Sequence, residues 1–122
     1  MNYILLHWLL HYCVLYNVDI NVAKAVVYTE SKGKPNAVGV KFEQGLFQLR
    51  PELFGFVDTK TNIKLGVEYL AKMQKECKHR VDNTFVVCFN RGIVGGAKIK
   101  YPKQNHYFKR VMNNYLRGTN EN

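Results

Sequence analysis

The chain has 122 residues, 18 of them Lys or Arg against 9 acidic, for a formal net charge of +9. This length suits one domain with its own core, and no run approaches the about 20 apolar residues of a membrane-spanning helix. The cationic balance suits polyanionic surroundings (nucleic acid, an anionic membrane face or a bacterial cell wall) without choosing among them.

The dominant period is helical. Leu5, Trp8, Leu9, Tyr12 and Tyr16 recur at i, i+3, i+4 steps and predict a first helix over 3–16. This run carries His7 and His11, has no Lys or Arg before Lys24, and lacks a small-residue cleavage site. It is therefore expected to be a buried helix of the fold with partly buried histidines, not a signal peptide. A His pair four apart with no third ligand nearby is a weak metal motif, and neither metal nor cofactor is expected.

"YNVD" breaks the first helix, and Asp19 can cap a second over 20–31. Residues 32–49 hold Gly33, Pro35, Gly39 and Gly45, which predicts an irregular loop or small β-hairpin. Pro51 suits the first turn of a short helix through Phe56. Ile63, Gly66, Val67, Leu70 and Met73 then form one stripe of the clearest amphipathic helix. "VDNTFVVCFNRG" predicts a further helix ending at Gly92, "GIVGGAKIKYPK" a flexible connection, and 104–117 a last basic helix. No repeat or linker divides the chain, so residues 1–122 read as one mainly α domain. Cys13, Cys77 and Cys88 have no CxxC spacing and are expected to be buried free thiols.

Glu30 is the residue with chemical promise. It falls in the last turn of a helix whose Val22, Val26 and Val27 suggest burial. Burial and the negative end of the helix dipole both disfavour the carboxylate and raise its pKa. A carboxyl group that keeps its proton near neutral pH is what a general acid for glycosidic cleavage requires.

The surrounding motifs resemble those of the soluble lytic transglycosylase family. "ES" is followed by Pro35, "NAVG", "GLFQL" and Pro51, with Gln48 eighteen residues after Glu30. "NIKLGVEYLAKM" is similar to the family's N-I-x-x-G-x-x-Y-L helix, "CFNRG" to A-Y-N-A-G, and "QNHYFKRV" to its E-T-x-x-Y-V-x-x-V segment. The resemblance spans nearly the whole chain. It implies a lysozyme-like fold and cleavage of peptidoglycan with a 1,6-anhydro-muramoyl end. Glu30 would be the sole acid/base and Gln48 a sugar or peptide contact. Ser31 would fix the helix end, Phe47, Phe89 and Asn90 would shape the saccharide groove, and Tyr107 would hydrogen-bond Glu30. Gly39 stands where the family usually has Ser, Phe89 where it has Tyr, Arg91 where it has Ala, and Gln104-Asn105 for Glu-Thr.

Glu43 lies two residues before Gly45, where hydrolytic relatives place a second carboxylate. If it faces the cleft, hydrolysis by Glu30 and Glu43 becomes the alternative outcome. Two other functions compete: a wall-binding module of the same fold without catalysis, and a basic nucleic-acid-binding domain, which leaves the "ES…GLFQL" loop unexplained and shows no reader motif. The expected partner is therefore the peptidoglycan glycan strand, bound by a monomer, with no specific nucleic acid. A compact domain of this kind suits a bacteriophage protein reaching the wall through a lysis pathway or in a virion.

Overall fold

The computed structural model describes residues 1–120. Among these residues six α-helices form: α1 (Tyr3–Tyr16), α2 (Ile20–Ser31), α3 (Pro51–Phe54), α4 (Thr59–Glu76), α5 (Val86–Ala97) and α6 (His106–Asn120). Short 3-10 turns at Val81–Asn83 and Pro102–Gln104 precede α5 and α6. No helix among the described residues is long and apolar enough to cross a membrane.

Side-chain caps start three of these helices. Asn2, Asp19 and Asp58 each accept a hydrogen bond from a first-turn backbone N–H, those of Leu5, Asn21 and Thr61 at 2.7–2.9 Å. Such caps satisfy donors that have no partner within the helix. Asn17 and Lys32, both left-handed, end α1 and α2. The core forms where α2 packs on α6 and α1 packs on α4, which in turn packs on α5. Leu9, Val22, Val26, Ile63, Val67, Leu70 and Val86 are fully or almost fully buried there.

The segment between α2 and α3 is an irregular loop closed by two isolated β-bridges, Val38 with Gln44 and Gln44 with Leu49, not a hairpin of regular strands. Asn62 on α4 holds it. Asn62 Oδ1 accepts from the Phe47 N–H at 3.0 Å, and its Nδ2 donates to the Gln44 carbonyl at 2.9 Å. Gly66, one turn on, lets Phe47 lie against the α4 backbone: a Cβ there would fall 2.2 Å from the ring.

Several expectations need correction. α5 does not stop at Gly92. It kinks there, where Gly92 adopts φ 80°, and runs on to Ala97, so much of the expected flexible connection is helix. The short helix ends at Phe54, and the last helix begins at His106 after a 3-10 turn. His7 and His11 are exposed, because the apolar face that packs is the one holding Leu9, Tyr12 and Cys13. Cys77 and Cys88 are not free thiols but a disulfide. Packing of the α4 end against the start of α5 brings them together, a tertiary juxtaposition that spacing alone cannot reveal. Cys13 is buried and unpaired, its thiol pushed up to about 12 by burial and then by the charge of Asp19.

Candidate active site

Glu30 lies in the last turn of α2, beside the left-handed cap at Lys32. α6 runs along α2 and delivers Tyr107, whose hydroxyl donates to Glu30 Oε2 at 2.8 Å. A second bond between the same helices, from Asn114 Nδ2 to Thr29 Oγ1 at 2.9 Å, fixes their register. Burial pushes the Glu30 carboxyl up to about 7, against the opposing effects of the Tyr107 bond and the Arg110 charge; the like charge of Glu43 adds to the rise. Tyr107 is itself buried, which holds its hydroxyl well above the usual phenol range and keeps it a donor.

Glu30 opens onto a cleft of about 190 Å³ whose walls include Glu43, Gln48, Arg50, Tyr69, Phe89, Asn90 and Arg91. Its floor is aromatic. Phe54 meets Tyr69 edge-on with centroids 5.5 Å apart, Tyr69 meets Phe89 at 5.3 Å, and Phe89 rests on Phe47 at 6.1 Å. Apolar ring faces beside a polar rim suit a sugar, which itself has apolar faces and polar edges. Gln48 is fixed on the loop, its Nε2 donating to the carbonyls of Ala37 at 3.1 Å and Gly45 at 2.9 Å. That leaves its Oε1 as the free end, close to Gly39 and Glu43.

The structure thus brings Glu30, Glu43, Gln48, Phe89 and Asn90 to one cleft, with Tyr107 behind Glu30. Two of the residues expected at the site do not line the cleft. Phe47 is fully buried between Gly66 and Phe89, so it supports the floor instead of touching the cleft. Ser31 is buried too; its hydroxyl donates to the Val27 carbonyl at 3.0 Å and accepts from the Gly33 N–H at 3.2 Å, tying off the helix end. Sequence reasoning missed Tyr69, Arg50 and Asn62. Asn62 and Tyr69 both left a signal, as the Asn and Tyr of the N-I-x-x-G-x-x-Y-L match, and a polar residue on the apolar side of an amphipathic helix must also find hydrogen-bond partners there.

The profile of the Transglycosylase SLT domain matches residues 12–111. A curated relative, membrane-bound lytic murein transglycosylase E of Buchnera aphidicola, is 32% identical over a stretch covering 50% of this chain and 35% of that protein. The chain spans about a third of that relative's length, so the likeness concerns one portion of the relative. The matched residues run from α1 through α6 and contain every residue placed in the cleft, and the chain belongs to the transglycosylase SLT domain family.

Proposed function

We propose that this domain is a peptidoglycan lytic transglycosylase that cleaves the β-1,4 bond between N-acetylmuramic acid and N-acetylglucosamine. One observation carries the proposal: a carboxyl group pushed up to about 7 by burial, bonded to a buried tyrosine, on the wall of an aromatic-floored cleft. In the first step protonated Glu30 gives its proton to the glycosidic oxygen as the C1–O bond breaks. In the second the C6 hydroxyl oxygen of the muramoyl unit bonds to C1, and the Glu30 carboxylate takes the hydroxyl proton. The acid is restored and a 1,6-anhydro ring is left. No water is consumed, so one carboxyl group serves where hydrolysis ordinarily uses two. Burial suits Glu30 to both steps, since a group with a pKa near the working pH can give and take a proton in turn.

Gln48 and Asn90 supply polar contacts at the rim, and the Tyr69–Phe89 floor takes the sugar faces. Arg50 and Arg91 give the cleft edge a positive character suited to the anionic wall. Ser31 and Phe47 serve indirectly, by holding the helix end and the floor.

Hydrolysis is the alternative, favoured by Glu43 sharing the cleft with Glu30. Mass spectrometry of muropeptides released from purified peptidoglycan separates the two. Ends carrying 1,6-anhydro-N-acetylmuramic acid support the transglycosylase. Products heavier by one water mean that Glu43 or the solvent completes the reaction. Retained wall binding with no release would leave a tether in place of an enzyme.

A further inference from the structure

The turn from Gly39 to Glu43 is built around a missing side chain. The Gly39 N–H donates to the Glu43 carbonyl at 2.8 Å, and the Phe42 N–H donates to the Gly39 carbonyl at 3.1 Å. Phe42 adopts a left-handed φ of 64°, which is costly for a bulky residue. Its ring is 72% exposed, so side-chain packing does not account for that conformation. What the turn achieves is the return of Glu43 over its own start. Glu43 Oε1 accepts from the Lys41 N–H at 2.7 Å. A Cβ at Gly39 would lie 2.9 Å from that same oxygen and 2.8 Å from Gln48 Oε1. The carboxylate therefore occupies space that any side chain at position 39 would claim.

We propose that Glu43 is a positioning residue for the acid: seated in the space left open at Gly39, its carboxylate keeps the proton on Glu30 within the cleft they share. This rests on Glu30 being the acid, and it gives Glu43 a part in the reaction that needs no water. A like charge in the same cleft makes ionising Glu30 more costly, so Glu30 holds its proton more tightly. Tyr107 and Arg110 from α6 act on Glu30 directly, and the other charged or titratable groups that line the cleft are Tyr69 from α4, Arg50 before α3 and Arg91 from α5. Arg110 favours the ionised form of Glu30 and Glu43 the protonated form. Removing Glu43 leaves burial alone to oppose the Tyr107 bond and the Arg110 charge.

The test is a ¹³C-carboxyl NMR titration of Glu30 in the wild type, E43Q, G39A and the double variant, with the pH profile of wall cleavage measured alongside. Glu43→Gln keeps an acceptor for the Lys41 N–H and removes only charge. We expect the Glu30 midpoint to fall by roughly half a pH unit, the size of one partly screened like charge. The alkaline limb of activity should follow it. Gly39→Ala should lower the midpoint too, because Glu43 is held by one backbone N–H whereas Gln48 is held through two carbonyls. In the double variant the midpoint should equal that of E43Q alone.

An unmoved midpoint in E43Q overturns the proposal. So does a folded G39A that titrates like the wild type. If G39A does not fold, E43Q decides alone. The titration needs no substrate, so it reports on Glu43 even if Glu30→Gln retains wall cleavage, a result that would instead remove Glu30 as the acid.

Discussion

Tyr107 and Glu30 are 77 positions apart in the chain, yet their side chains meet at 2.8 Å because α6 lies along α2. The bond stabilises the ionised carboxylate, whereas burial destabilises it, so the two work in opposite directions on one proton. Tyr107→Phe removes only the donor. It should move the alkaline limb of the pH profile upward, since Glu30 would hold its proton more tightly. It should also slow turnover roughly ten- to a hundredfold, the worth of a hydrogen bond to a charged group. A limb that moves downward would mean the hydroxyl does not act on Glu30 in this way.

The pH dependence of stability has a definite sign. Folded Glu30 keeps its proton up to about pH 7, whereas the unfolded chain releases it near 4.5. The folded state therefore binds the extra proton between those values, and stability falls as pH rises through that window. Above it, the buried carboxylate costs on the order of 3 kcal/mol at most. Glu30→Gln carries no such penalty. Its Tm advantage over the wild type should grow from pH 4.5 to pH 8 and then level off, while wall cleavage is abolished. A Tm difference independent of pH across that range would refute the burial of Glu30 as a charged group.

Much of this was legible in the sequence, for reasons that differ by element. The bounds of α1 and α2 follow from local signals: an apolar repeat, an Asp cap and a break at "YNVD". Glu30, Gln48 and Tyr107 came from motif spacing, and the structure places them at or beside one cleft. What stayed hidden was pairwise. The burial of Phe47 depends on a glycine 19 positions later. The Cys77–Cys88 bond depends on two helices docking, and Gly92 kinks α5 without ending it because residues beyond the kink resume helical geometry. None of these is carried by composition or period.

The disulfide yields a direct count. Under non-reducing denaturation, alkylation should modify one of the three cysteines, Cys13, and all three after reduction. Replacing Cys77 and Cys88 together by Ala should cost about 2–3 kcal/mol, the range for closing a short loop. Since Cys88 immediately precedes Phe89 and Asn90, KM for glycan should rise more than kcat falls. Three reactive thiols before reduction would contradict the pairing.

Asn62→Ala tests the anchor of the Gln48 loop. The substitution strips the Phe47 N–H of its partner and takes one of two donors from the Gln44 carbonyl, which keeps the Leu49 N–H; an unpaired buried N–H costs about 1–3 kcal/mol. Amide exchange at Phe47 should accelerate well beyond what the global loss of stability explains, and activity should fall with it. Unchanged exchange at Phe47 would mean the loop is held by its own bridges, Val38–Gln44 and Gln44–Leu49, without α4.

Gly66 is the sharpest test of how the floor of the cleft is packed. A methyl group there would lie 2.2 Å from Phe47 Cγ and 2.3 Å from Cδ2, far inside contact distance. Phe47 is fully buried and rests against Phe89, so it has no free direction in which to yield. Alanine normally favours a helix over glycine by up to about 1 kcal/mol; here overpacking of about 1–3 kcal/mol should outweigh that gain. Gly66→Ala should therefore lower Tm although it improves helix propensity. Phe47→Leu should recover part of the loss when combined with Gly66→Ala while being destabilising in the wild type, a reversal that only direct contact between the two positions produces. A Gly66→Ala variant with raised Tm would mean that α4 and the Gln48 loop sit further apart, and the floor beneath Phe89 would need a different support.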